Sequence, residues 1–187
     1  QTIGKIEEKR DDRVGKSHWL YRNYPISAPI TIGRFDGGIF PSIVPEKCIV
    51  EGAIDIMPGE TVHEVREEFL SEIHSFSESD MWLRGHPPKV EWFGSSMEGG
   101  EIPKDHPIVA CMIDSCKKAT GQKPDFGGLP GGTDMRLATK HGDTPSLIFG
   151  PGNPKMAHTY DEYVPIEDVV TSTKVLALAI AEWCGIE

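Results

Sequence analysis

The stretch that most constrains this chain is residues 94–103, GSSMEGGEIP, a run of small, polar and glycine residues without apolar periodicity. Chain of this kind cannot lie inside a packed layer, so it divides whatever folds on either side of it. The patterns on the two sides also differ. Before it come extended and helical segments in one block, and after it helix and strand signals alternate. The expected organisation is therefore two units, residues 1–94 and 95–187.

In the first unit, Ile3 and Ile6 at helical spacing, then a charged run, read as the tail of a helix begun upstream. With no initiator Met and no signal-peptide pattern, the expectation is a chain cut from something longer. Residues 10–29 read as an irregular connection. Residues 30–35 (ITIGRF) and 48–57 alternate as half-buried strands, the second with Cys48, Val50, Ile54 and Ile56 on one face. Thr61 and Glu64 form a capping box that opens a helix with the stripe Val62, Val65, Phe69, Ile73 and Phe76. Residues 89–93 (KVEWF) read as a closing strand. This order is a ferredoxin-like βαββαβ unit without its opening strand and most of its first helix.

In the second unit, Asp105 is expected to cap a helix with Ile108, Val109, Met112 and Cys116 inward, ending near Gly121. Residues 123–126 and 145–149 read as short strands, and residues 134–140 as helix. Pro165 opens a last helix carrying Val169, Val170, Leu176, Ile180 and Trp183. Alternation of this kind predicts an α/β layer, so the fold class is α/β and α+β together.

Twenty-nine acids against nineteen Lys and Arg give a net charge of −10, which excludes the basic face that nucleic acid or an anionic membrane needs. The longest apolar run, VLALAIA, is far short of the ~20 residues of a membrane span. Cys48, Cys111, Cys116 and Cys184 make no metal-ribbon or redox spacing and read as free thiols, which fits a reducing, cytoplasmic compartment.

The residues with chemistry concentrate in the last third. His158 follows FGPG and a predicted strand, where α/β proteins bind ligands, and a neutral imidazole is a metal donor. Taken alone, a loop His is more often a surface residue, since a catalytic zinc needs about three protein ligands. The turn Gly132, Thr133, Asp134 offers main-chain N–H groups and a hydroxyl to an anion, or else simply caps the next helix. Glu162 either orients His158 or leads acidically into the last helix. Ser42, between Pro41 and Pro45, is either presented to a substrate or part of a rigid connection. No serine-hydrolase, phosphate-loop or dinucleotide motif is present.

Together GRFDGG, PSIVP and MPGET, then IPKDHP, GGTD, FGPG and AHTYDEYVPIED, resemble the M20 metallopeptidase family over nearly the whole chain. The resemblance is nearest to its acetylornithine deacetylase and succinyl-diaminopimelate desuccinylase group. It implies that residues 1–94 are most of a ferredoxin-like lid that also dimerises, and residues 95–187 the C-terminal portion of a zinc-binding α/β catalytic domain. His158 then matches the last metal ligand, Gly132, Thr133 and Asp134 the turn beside the substrate, Ser42 a position where many members have Asn, and Glu162 the acid after the ligand His. The cofactor implied is zinc, two per complete site, with cobalt as the alternative. The partners implied are an N-acyl amino acid or short peptide and a second copy of the chain through the lid.

The resemblance also places the other metal ligands, the bridging carboxylate and the general-base Glu upstream of Gln1, so this segment alone is expected to be inactive. Asp55 stands where many members carry an Arg, which removes a carboxylate clamp. The rival expectations are a metallo-exopeptidase of the same family and a non-catalytic dimerisation or binding module.

Overall fold

A computed structural model describes residues 2–129 and 131–185 of the chain. They form helices and one small antiparallel sheet, arranged in two compact units: Gln1–Gly99 with Gly127–Gly132, and Gly100–Phe126 with Thr133–Glu187.

The first unit opens with helix α1, Thr2–Arg10, which runs on into a π-helical turn, Asp11–Gly15. Of the expected helical tail, Gln1 lies outside the described residues. Arg10 belongs to the helix rather than to a connection, and it is fully buried together with Ile6. Strands β1, Ile30–Gly37, and β2, Cys48–Ile54, then pair antiparallel. Ile30 faces Ile54 and Gly37 faces Cys48, with a register shift between Ile32 and Arg34. Cys48 and Val50, expected to face inward, are exposed, because no second layer covers this two-stranded sheet among the described residues. Helix α2, Val62–Ser79, starts with the expected capping box: Thr61 accepts from the Glu64 N–H, and Glu64 accepts from Thr61. Its stripe holds near the start, where Val65 is buried and Phe69 meets Trp92 edge to face at 5.8 Å, but Phe76 is exposed.

Residues 89–93 are not a strand. A strand is a property of a pair, since its N–H and C=O groups need a ladder, and no third strand pairs here among the described residues. Trp92 is instead held by side chains, against Phe69 and beneath the Arg66 guanidinium at 5.1 Å.

The second unit is built on helices α3, Pro107–Thr120, and α4, Ile166–Cys184. The N-cap of α3 is His106, whose ring nitrogen accepts from the Ile108 N–H, and not Asp105. Pro107 occupies the first helical position, which leaves the residue before it as the cap. Cys111, Met112 and Cys116 of α3 pack on Val175 and Ala179 of α4. The buried face of α4 is Ser172, Val175 and Ala179; Val169, Val170, Leu176, Ile180 and Trp183 are exposed. From Val175 to Ala181 every side chain is apolar, so periodicity there does not select a face. The small side chains at 172 and 179 let α3 approach closely, and the Cys111 thiol reaches the Ala179 carbonyl at 3.6 Å.

Residues 123–126 and 145–149 form no strand. Leu147 and Phe149 nevertheless pack on the α3–α4 core, so the burial behind the strand expectation is real. The expected helix over residues 134–140 forms: Met135 and Arg136 are α-helical and the segment continues as a π-helix over Leu137–His141. All four cysteines are free, and no helix among the described residues is long and apolar enough to cross a membrane.

Candidate functional site

His158 sits in the loop between the short 3₁₀ turn Pro154–Met156 and α4. Asn153 opens that turn by accepting from the Lys155 N–H at 3.0 Å. Thr159 closes it, its hydroxyl donating to the Met156 carbonyl at 2.7 Å. Between them His158 takes a left-handed backbone, φ 63°, which residues with a Cβ adopt only when their surroundings impose it. The loop supplies the restraint. Glu162 folds back so that its Oε2 accepts from the His158 main-chain N–H at 3.2 Å, and the Glu162 N–H donates to the Thr159 carbonyl at 3.3 Å. The carboxylate thus fixes the backbone from which the imidazole projects. His158 is exposed, so its ring is open to a ligand.

The glycine turn is a second exposed element. Gly131 has φ 149°, a region open to glycine, and Gly132 presents an open main chain. Thr133 is half-buried and Asp134 exposed, with the Leu137 N–H donating to the Asp134 carbonyl at 2.9 Å. The following π-helical segment has Arg136 at its N-cap position and no side-chain cap. Arg136 is half-buried, and its Nε has no hydrogen-bond partner among the described residues.

Ser42 lies in the exposed turn between β1 and β2, next to the Ile43 N–H to Phe40 carbonyl bond. It belongs to the first unit, whereas Thr133, Asp134, His158 and Glu162 belong to the second. The structure brings Glu162 onto His158 and keeps Gly132, Thr133 and Asp134 in one turn.

Asp55 is half-buried at the end of β2. Burial pushes its carboxyl above the usual range, and the nearby Arg10 charge only partly opposes this. The residues missed by sequence reasoning stand beside it. Arg10 donates to Glu60 Oε2 at 2.7 Å and to the Asp55 carbonyl at 3.0 Å. Glu60 also accepts from Arg13 at 3.1 Å and from the Met57 N–H at 3.0 Å, and Arg13 reaches Glu68 at 2.6 Å. Arg10 lies on the helical face of Ile3 and Ile6, seven and four residues on, and that spacing was the available signal for its burial.

A zinc centre needs about three protein donors. No group of three or more His, Cys, Asp or Glu suited to a metal occurs among the described residues. These residues therefore do not make up a metal centre by themselves, and His158 is a single prospective donor.

A profile of peptidase family M20/M25/M40 matches residues 14–182. The chain is similar to the N-formyl-4-amino-5-aminomethyl-2-methylpyrimidine deformylase of Bacillus subtilis (strain 168), 31% identical over 181 residues, covering 90% of this chain and 42% of that protein. It is also similar to the acetylornithine deacetylase of Myxococcus xanthus, 27% identical over 168 residues (86% and 40%). Against the acetylornithine deacetylase of Salmonella arizonae it is 23% identical over 190 residues (98% and 44%). The chain spans less than half the length of these relatives.

Proposed function

The chain belongs to peptidase family M20/M25/M40, and from that membership we propose that it is part of a metal-dependent amidohydrolase removing a small acyl group from an N-acyl amino acid. The carrying observation is the loop in which Glu162 holds the His158 backbone in a left-handed conformation beneath an exposed imidazole. An exposed His whose backbone is held by a neighbouring carboxylate suits a ligand position. The deformylase and deacetylase relatives support acyl removal as the reaction class.

Under this reading residues 1–94 are most of a ferredoxin-like lid through which the enzyme dimerises, and residues 95–187 the C-terminal portion of the catalytic domain. His158 donates an imidazole nitrogen to one zinc, whose other ligands lie in the part of the relatives' length that this chain does not span. Gly132 and Thr133 offer a main-chain N–H and a hydroxyl to the substrate carboxylate or to the oxyanion formed at its amide, with Asp134 completing the turn. Ser42 is a further substrate contact, delivered by the lid. Glu162 acts through His158 and touches no substrate.

The test is a panel of N-formyl, N-acetyl and N-succinyl amino acids, with dipeptides beside them, offered to the full-length protein. Turnover of an N-acyl amino acid, lost on chelation and in His158→Ala, is expected. Turnover of dipeptides alone would convert the reading to an exopeptidase. No hydrolysis of any member by zinc-supplemented protein would defeat the enzyme reading and leave a binding module.

A further inference from the structure

We infer that Tyr21 and Tyr24 are positioning residues for the glycine turn, anchoring the strap of chain from which Gly131–Gly132 emerges. The strap, Gly127–Gly132, groups with the first unit, although the chain on both sides of it belongs to the second. Among the described residues, hydrogen bonds with one short segment more than a hundred residues earlier hold it there. The Tyr24 hydroxyl donates to the Gly128 carbonyl at 2.7 Å, the Tyr21 hydroxyl donates to the Leu129 carbonyl at 3.3 Å, and the Gly128 N–H donates to the Leu20 carbonyl at 3.2 Å.

The fit is close enough to dictate sequence. A Cβ on Gly128 would stand 2.3 Å from Cζ of Tyr21, inside the ring, so only glycine lets the backbone lie flat on this tyrosine. Tyr21 is itself immobilised, since it is buried in a cluster with Ala28 and Met57. Its ring is met edge-on by His18, and its carbonyl accepts from the buried Ser27 hydroxyl at 2.8 Å. Beyond the strap, the Met97 side chain lies where a Cβ on Gly132 would come within 3.3 Å.

Two phenol hydroxyls spent on consecutive carbonyls of a glycine-rich strap fix where its main chain runs. The strap ends at Gly132, which with Thr133 is proposed to meet the substrate; the inference rests on that functional reading and takes the substrate carboxylate as the group they bind. Neither tyrosine touches substrate. They set the position of the donors that do, and the loss of one hydrogen bond of about 1 kcal/mol weakens binding severalfold.

Tyr24→Phe in the full-length enzyme removes one hydroxyl and no volume. The expected result is a KM raised about three- to tenfold, the loss of one hydrogen bond, with kcat within about twofold. Amide hydrogen exchange over residues 127–136 should quicken, while exchange over residues 107–120 stays as in the wild type. Gly128→Ala should raise KM further. Unchanged exchange over residues 127–136 in Tyr24→Phe overturns the anchoring. Quickened exchange with unchanged KM overturns the link to substrate. A wild-type enzyme that turns over no N-acyl amino acid defeats the functional reading instead, and with it the substrate link, whatever the exchange result.

Discussion

Replacing Arg10 by Met should destabilise the first unit by about 3 kcal/mol. The guanidinium is fully buried and bonds Glu60, whose carboxylate is itself only 8% exposed. Methionine keeps the apolar stem but leaves that carboxylate without its nearest cation. Breaking a buried pair from one side costs about 3–5 kcal/mol. The low end applies here because Glu60 keeps Arg13 at 3.1 Å and the Met57 N–H at 3.0 Å. Arg10 also contributes less than a full complement of bonds, since its Nε and Nη1 have no hydrogen-bond partner among the described residues. In urea, with a slope of about 2 kcal/mol per M, the midpoint should fall by about 1.5 M. The double change Arg10→Met with Glu60→Leu removes both charges but also strips the acceptor from the Met57 N–H and from Arg13, so its loss should be clearly smaller than the sum of the two single losses without vanishing. A loss below about 1 kcal/mol in Arg10→Met, or a double variant showing the plain sum of two losses, would refute the claim that this pair ties α1 to the β2–α2 turn.

Asp55 carries a pH signature. Its folded carboxyl is raised by burial, so its contribution to stability is fully present below the unfolded value and is lost as pH rises through the folded one. Asp55→Asn removes that titration and should be more stable than the wild type at neutral pH, with the gap closing as pH falls through the carboxylate range; a gap that widens on acidification in paired urea titrations contradicts this. Glu162→Ala removes the acceptor of the His158 N–H, so exchange over residues 157–162 should quicken about fivefold, the worth of one hydrogen bond. Glu162→Gln keeps an acceptor oxygen and should do so less. Equal exchange in all three proteins would mean that the contact does not hold the loop.

The parts of the fold that were legible in the sequence are those whose cause is local. The capping box at Thr61 and Glu64 and the glycine stop after α3 depend on neighbouring residues and form where the sequence places them, and strands β1 and β2 form as well, without the alternating burial expected of them. Strands at 89–93 and 145–149 do not form, because pairing needs a partner that local pattern cannot specify. Yet Trp92, Leu147 and Phe149 still find apolar neighbours. The inward face of α4 was misread because Val175 and Ala179, rather than its largest side chains, pack on α3.

At the candidate site, sequence picks out His158, Glu162 and the glycine turn as chemistry. That Glu162 bonds the His158 main chain, and that Tyr21 and Tyr24 hold the strap, are long-range or conformational facts that spacing does not contain. Arg10 was hidden for another reason. A charged residue on an apolar helical face is ordinarily at the surface, and ion pairs with the buried Glu60 and the half-buried Glu68 make the position tenable.

The central claim is that His158 holds a metal in an M20 hydrolase. The direct measurement is zinc bound per chain by the full-length protein, wild type against His158→Ala, by elemental analysis after dialysis in metal-free buffer. The account predicts about two zinc ions in the wild type and about one fewer in the variant, with both proteins folded. Equal zinc content in the two would contradict it, because the imidazole on the Glu162-held loop would then bind no metal.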